Sequence, residues 1–138
     1  MKVLFDINVI LDVLLQREEF LELSSSLVSA VETGVIKGYL CATTLTTIDY
    51  LVSKQTNKVK ARTAIQSLLK IFQIASVNRK VIAESASSQF TDFEDAVQYF
   101  SGLLVPVDSI VSRNVSDFKQ ADCPVYSPSE LWSIVKIT

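Results

Sequence analysis

Four aspartates stand where chemistry is possible, in a chain that has no histidine. Asp6 closes the apolar run Lys2-Val3-Leu4-Phe5. Asp49 interrupts an apolar helical pattern, Asp95 lies near the start of another helix, and Asp117 follows the strand-like Ser109-Ile110-Val111-Ser112. The missing histidine excludes a Ser-His-Asp relay and imidazole ligation. Cys41 and Cys123 are too few and too far apart for a thiolate zinc site. What remains is oxygen chemistry, and converging aspartates suit a hard cation such as Mg²⁺ or Mn²⁺.

Each acid has a plainer reading beside the chemical one. Asp6 could be a strand-end polar residue or a helix cap, although it ends a wholly apolar strand and precedes the turn-forming Asn8. Asp49 lies about 90° from the middle of the inward face formed by Leu45, Ile48, Leu51 and Val52. A carboxylate there is costly unless it is bound to metal or paired with a lysine or arginine. In Thr91-Asp92-Phe93-Glu94-Asp95, Glu94 reads as the capping-box partner of Thr91 and Asp92 as a first-turn acid favoured by the helix dipole. Asp95 has no capping duty and is the candidate ligand. Asp12, Glu18, Glu19 and Glu32 read as helix-surface charges. The two cysteines read as inert thiols, and Phe90, Phe93, Phe100 and Trp132 as core.

The elements that must position these groups alternate. Val3–Phe5 reads as a buried parallel strand, followed by a helix over Val9–Leu15 and another from about Glu18 to Glu32 that stops before Gly34. Tyr39–Cys41 reads as a second strand, with Thr43-Thr44 capping a helix to about Ser53. A helix over Lys58–Leu69, a strand over Ile71–Val77 and a helix over Lys80–Ser87 follow. The next helix ends near Leu104, Ile110-Val111 and Val125-Tyr126 are the last strands, and Ser127-Pro128-Ser129-Glu130 opens a terminal helix. This alternation predicts a three-layer α/β/α sandwich with a mainly parallel sheet. In such sheets, functional groups gather beyond the carboxyl ends of the strands, where Asp6 and residues 112–117 fall.

Composition narrows the field further. The 138 residues, 49% hydrophobic with three glycines and three prolines, predict one globular domain over 1–138 rather than a disordered chain. The absence of a disulfide framework predicts a reducing, cytoplasmic setting, the first residues do not read as a signal peptide, and no run approaches the ~20 apolar residues of a membrane span. A net charge of −2 argues against a simple nucleic-acid-binding module. It leaves room for a nuclease, because bound metal reverses the local charge.

Three segments together carry a family resemblance. Phe5-Asp6-Ile7-Asn8-Val9-Ile10-Leu11-Asp12, Phe93-Glu94-Asp95-Ala96 and Asp108-Ser109-Ile110-Val111-Ser112-Arg113-Asn114-Val115-Ser116-Asp117-Phe118 resemble, in order and spacing, the motif blocks of PIN-domain proteins, from Val3 to Trp132. The resemblance implies a metal-dependent endoribonuclease of the VapC-like kind, often the toxin of a toxin–antitoxin pair, leaving 5′-phosphate and 3′-hydroxyl ends. Asp6 matches the first family carboxylate and Asp95 the third. Asp49 falls near the second, usually a glutamate. Asn114 stands where many members carry aspartate, which leaves Asp117 as the fourth acid. Ser112 stands for a common threonine, and Ile7 replaces another.

On this resemblance Asp6, Asp49 and Asp95 hold Mg²⁺ or Mn²⁺, Asp117 completes the catalytic acids, and Asn8, Ser112 and Asn114 support them from behind. Arg113, Lys54 and Lys58 are candidates for RNA phosphate contacts. An antitoxin protein and a homodimer built from the early helices are the expected partners. A PIN-like scaffold without activity is the competing reading, supported by the acidic chain and by the short Asp49 and uncharged Asn114. An aspartate-phosphorylated receiver-like domain is disfavoured, because no adjacent pair of acids follows the first strand.

Overall fold

Residues 1–136 are described by a computed structural model. The first strand, β1 (Lys2–Phe5), is wholly apolar after Lys2 because both its faces are covered; Val3, Leu4 and Phe5 have no exposed surface. It is followed by α1 (Ile7–Leu14), α2 (Glu18–Glu32), β2 (Lys37–Cys41), α3 (Ala42–Gln55), α4 (Lys58–Ile71), β3 (Gln73–Ala75) and α5 (Arg79–Ser87). Then come α6 (Phe93–Leu104), β4 (Ser109–Val111), a 3₁₀ turn (Val115–Phe118), β5 (Val125–Tyr126) and α7 (Pro128–Val135). The five strands pair in the order β3-β2-β1-β4-β5, all parallel.

Alternation along β1 builds the layers. Val3 and Phe5 point into the larger core with Val9, Ile10, Leu27, Ile48, Leu68, Leu131 and others from α1–α4 and α7. Leu4 points the opposite way, onto Tyr99, Ile110 and Phe118, while Cys41, Val81 and Val97 fill the space under α5 and α6. This is the three-layer α/β sandwich that the pattern predicts. The strand order reverses at β1, so the carboxyl ends of β1 and β4 lie side by side: Leu4 pairs with Ile110 and Phe5 with Val111. Asp6 and Ser112 follow directly, at the edge where such sheets place their ligands.

Local signals explain several boundaries. Gly34, at φ +82°, ends α2 in a paired cap: its N–H reaches Val31 O (3.1 Å) and that of Val35 reaches Ala30 O (2.9 Å). Gly38 lets β2 approach α4, since a Cβ there would stand 2.7 Å from the Phe72 ring. Ser127 and Glu130 form a reciprocal capping box on α7.

Four expectations are corrected. Helix α4 continues to Ile71 and shortens the third strand to Gln73–Ala75, because Phe72 leaves the helix to pack edge-on against Phe5 (5.1 Å between ring centres). Thr43 and Thr44 do not cap α3, which starts at Ala42 with Cys41 at its N-cap. Phe93 is exposed rather than core. Asp12 is fully buried rather than a surface charge.

Candidate active site

Asp6 is both the end of β1 and the N-cap of α1. Its Oδ1 accepts the Ile7 N–H (2.8 Å), which satisfies one of the orphan donors of that helix. The same oxygen accepts from Gln98 Nε2 (3.0 Å), and Oδ2 accepts from Ser112 Oγ (2.7 Å). Ser112 Oγ in turn accepts the Asn114 N–H (2.9 Å), and the Asn114 carbonyl accepts the Asp117 N–H (3.0 Å). A chain of hydrogen bonds therefore runs from the buried Asp6 carboxylate into the turn that carries Asp117. Asn114 contributes through its backbone.

The start of α6 supplies the other acids. Asp92, not Thr91, caps the helix: its Oδ1 accepts the Asp95 N–H (3.0 Å). The expected Thr91–Glu94 capping box is therefore absent, and Glu94 is released to face the cluster. Its pKa is raised, first by burial and then by the charges of Asp92 and Asp6, while a hydrogen bond from Thr47 on α3 partly offsets the rise. Asp95 shows the crowding most strongly. Burial comes first, then the charges of Asp6, Asp92, Asp117 and Glu94, and together they push its pKa up to about 7. A helix N-terminus favours negative charge, so repulsion and desolvation outweigh that help at Asp95.

Gln98 lies one turn beyond Asp95, almost fully buried. Its amide donates to Asp6 Oδ1 and more weakly to Asp95 Oδ1 (3.4 Å), while its own Oε1 has no hydrogen-bond partner. A pocket of about 360 Å³ opens beside the cluster, lined among others by Asp92, Asp95, Asp117, Ser116 and Phe90. Phe90 braces it from below, with its ring centre 5.4 Å from Tyr99 and 6.3 Å from Phe118.

Asp6 and Asp117 lie within electrostatic reach of Asp95 at this edge of the sheet, with Ser112 behind Asp6. Asp49 is placed elsewhere. Its carboxylate lies 3.8 Å from Arg62 of α4, both side chains open to solvent, and it is not among the acids acting on Asp95. Thr47, two residues earlier and so about 200° around the helix, is the α3 residue that faces the cluster. Asn8 turns to Arg17, whose Nη1 donates to its Oδ1 (3.1 Å).

Arg113 is turned inward as well. Its guanidinium stacks 3.9 Å over the Phe20 ring, and Nε lies 3.1 Å from Asp12 Oδ2, within ion-pair distance but outside hydrogen-bond geometry. Asp12 is also held by Arg17 Nη1 (3.4 Å) and by Ser24 Oγ (3.2 Å). This buried network ties α1 and α2 to the segment that begins at Ser112. The sequence holds hints of these unforeseen roles. Asp92-x-x-Asp95 is a second capping frame that frees Glu94, and Gln98 and Asp12 are lone polar residues in apolar helical stretches.

A divalent cation fits this donor set in kind and in charge. The oxygens are hard, and a cation relieves the repulsion that adds to burial in raising the Asp95 pKa. The orphaned Gln98 Oε1 marks a polar interior not yet satisfied by protein groups. Closure is lacking: among the described residues no three acidic side chains stand close enough to hold one ion as they are.

Comparisons with known proteins bear on the fold and the family. Two solved structures share the fold: a chain of VapBC2 from Rickettsia felis bound to a DNA fragment from its promoter (TM-score 0.71, 12% identity, 92% of this chain and 98% of that one) and a chain of FitAB bound to an IR36 DNA fragment (TM-score 0.71, 20% identity, 91% and 94%). No curated protein matches by sequence. The sequence profile of the PIN domain matches residues 2–116, and the chain belongs to that family.

Proposed function

We propose that this chain is a metal-dependent endoribonuclease, working in the cytoplasm as the toxin of a toxin–antitoxin pair. The observation that carries the reading is the cluster of Asp6, Glu94, Asp95 and Asp117 at the carboxyl edge of the sheet, where burial and then the neighbouring charges push the Asp95 pKa up to about 7. Membership in the PIN family supports nuclease chemistry. The two structural neighbours carry two-part names and were solved on DNA, which supports a partner protein. The early helices are the proposed homodimer surface, and 1–138 the extent of the domain.

Asp6, Asp95 and Glu94 would hold one or two Mg²⁺ or Mn²⁺ ions, with Asp117 lining the pocket beside them. When bound, the metal supplies a Lewis acid and a lowered pKa for a ligated water, the two aids that phosphodiester hydrolysis needs. Ser112 and Gln98 fix the Asp6 carboxylate by donating to its two oxygens, so the central ligand is preorganised. Asp95 can carry a proton at neutral pH and gives it up when a cation arrives. Asp49 has no part in this arrangement; it serves Arg62 and the α3–α4 pair.

One observation favours the competing scaffold without activity: the Gln98 amide occupies the space between Asp6 and Asp95, and among the described residues no three acids converge. Incubation with several RNA pools separates the two readings. The enzyme predicts cleavage that requires Mg²⁺ or Mn²⁺, stops with EDTA and is lost in Asp6→Asn or Asp95→Asn. A wild type without EDTA-sensitive cleavage on any pool would move the assignment to the scaffold.

A further inference from the structure

The chain's charge is sharply divided. Between Tyr50 and Ala83 lie seven of its thirteen lysines and arginines and none of its fifteen acids. These seven, Lys54, Lys58, Lys60, Arg62, Lys70, Arg79 and Lys80, are all exposed. The remainder of the chain is therefore strongly acidic, and the modest net charge hides a basic surface carried mostly by the end of α3 and by α4.

Helix geometry connects that surface to the acidic cluster. Thr47 of α3 lies beside Glu94 at the site, close enough to lower the pKa of its carboxyl. Lys54 follows two turns later, ~10 Å along the axis and within about 20° of the same direction, with Tyr50 between them. Tyr50 is 62% exposed, and Lys54 Nζ lies 6.0 Å from its ring centre. Asn57 then caps α4 by accepting the Lys60 N–H, and Lys58, Val59, Arg62, Thr63 and Gln66 line a shallow depression on its outer face. An exposed aromatic ring set among lysines, in a row that starts at a carboxylate site, matches what a single-stranded nucleic acid requires. Bases stack on the ring, and phosphates follow the ammonium groups.

We propose that Tyr50, Lys54 and Lys58 form the track that leads single-stranded RNA into the acidic cluster, with Tyr50 stacking on a base and the two lysines on consecutive phosphates. The identity of the strand as substrate rests on the nuclease reading above; the surface itself rests on the charge division and the α3 row. Arg113 is not part of the track, because it is committed to Asp12 and Phe20. Basic residues remote from the acids also resolve a conflict: an acidic enzyme must attract a polyanion without filling its metal site with lysine.

Fluorescence anisotropy of a short labelled single-stranded RNA, in EDTA so that binding is read without cleavage, tests the proposal. Lys54→Glu/Lys58→Glu should weaken binding at least tenfold and flatten the dependence of log Kd on log salt by roughly 1.4, about 0.7 for each phosphate that is no longer neutralised. Tyr50→Ala should weaken it at least about fivefold, and Tyr50→Phe should not. Lys37→Glu, an exposed charge at the start of β2 on the opposite edge of the sheet, is the control and should change little.

All four sites are on the surface, so folding is not at risk. A double variant that binds RNA as the wild type does overturns the track. So does a double variant that loses only affinity for an acidic peptide, which would assign the surface to a partner protein. Cleavage by the wild type with unchanged RNA binding in the variants defeats the track and spares the nuclease. Weakened binding in the variants with no cleavage by any form does the reverse.

Discussion

Asp95→Asn should make the metal-free protein more stable, not less. The folded protein keeps a proton on Asp95 up to about pH 7, whereas an ordinary aspartate releases it near 3.8. Folding therefore takes up a proton between those values. The native state loses stability as pH rises from about 4 to about 7, and the whole penalty stands above 7. Three pH units correspond to about 4 kcal/mol at face value. Asp95 is only half-buried, so solvent screening reduces this to about 1–2 kcal/mol.

Asparagine removes the charge while keeping an oxygen for the Gln98 amide, and it gives up about 0.3–1 kcal/mol of favourable helix-dipole interaction. The net gain at pH 8 should be about 1 kcal/mol, or roughly 3–4 °C in Tm. Urea unfolding in EDTA at pH 4.5 and pH 8 measures it. The variant should match or fall slightly below the wild type at the lower pH and exceed it at the higher. Excess Mn²⁺ should then stabilise the wild type far more than the variant. A variant less stable than wild type at pH 8 would refute the reasoning, because it would mean that Asp95 is not under electrostatic strain.

Other substitutions probe the supports. Asp12→Ala should cost about 2–3 kcal/mol in urea unfolding, since it leaves Arg17 and Arg113 without their buried partner, although both arginines reach solvent; a change below about 0.5 kcal/mol would mean that the buried network does not hold α1 and α2 in place. Ser112→Ala should cost about 1–2 kcal/mol and lower cleavage as well, because Asp6 Oδ2 loses its hydroxyl donor. Asp49→Asn should alter stability by less than about 0.5 kcal/mol and leave cleavage nearly intact, as expected for an exposed ion pair at 3.8 Å.

What the sequence discloses and what it hides follow from how local each signal is. The strand at Val3–Phe5, the stop at Gly34 and the cap at Ser127-Pro128-Ser129-Glu130 each depend on neighbours within a few residues, and all three stand where the pattern puts them. Asp6 is legible for the same reason, as a carboxylate ending an apolar strand. Around Thr91 two capping frames compete one residue apart. The choice between them decides whether Glu94 caps a helix or faces Asp6, and composition does not distinguish the two. Asp12 reads as a surface charge because its burial depends on α2 folding back to bring Ser24 and on Arg113, about a hundred residues away, closing over it. Asp49 reads as a carboxylate at a core edge because Arg62 approaches only once α3 and α4 pack together.

Isothermal titration with Mn²⁺ tests the central claim most directly, that the acids at the end of β1 and the start of α6 form a divalent-cation site. The wild type and Asp49→Asn should bind with similar affinity, Asp6→Asn should bind far more weakly, and Glu94→Gln/Asp95→Asn should show no saturable heat. A Glu94→Gln/Asp95→Asn protein that titrates like the wild type, or an Asp49→Asn protein that does not titrate at all, would contradict the account.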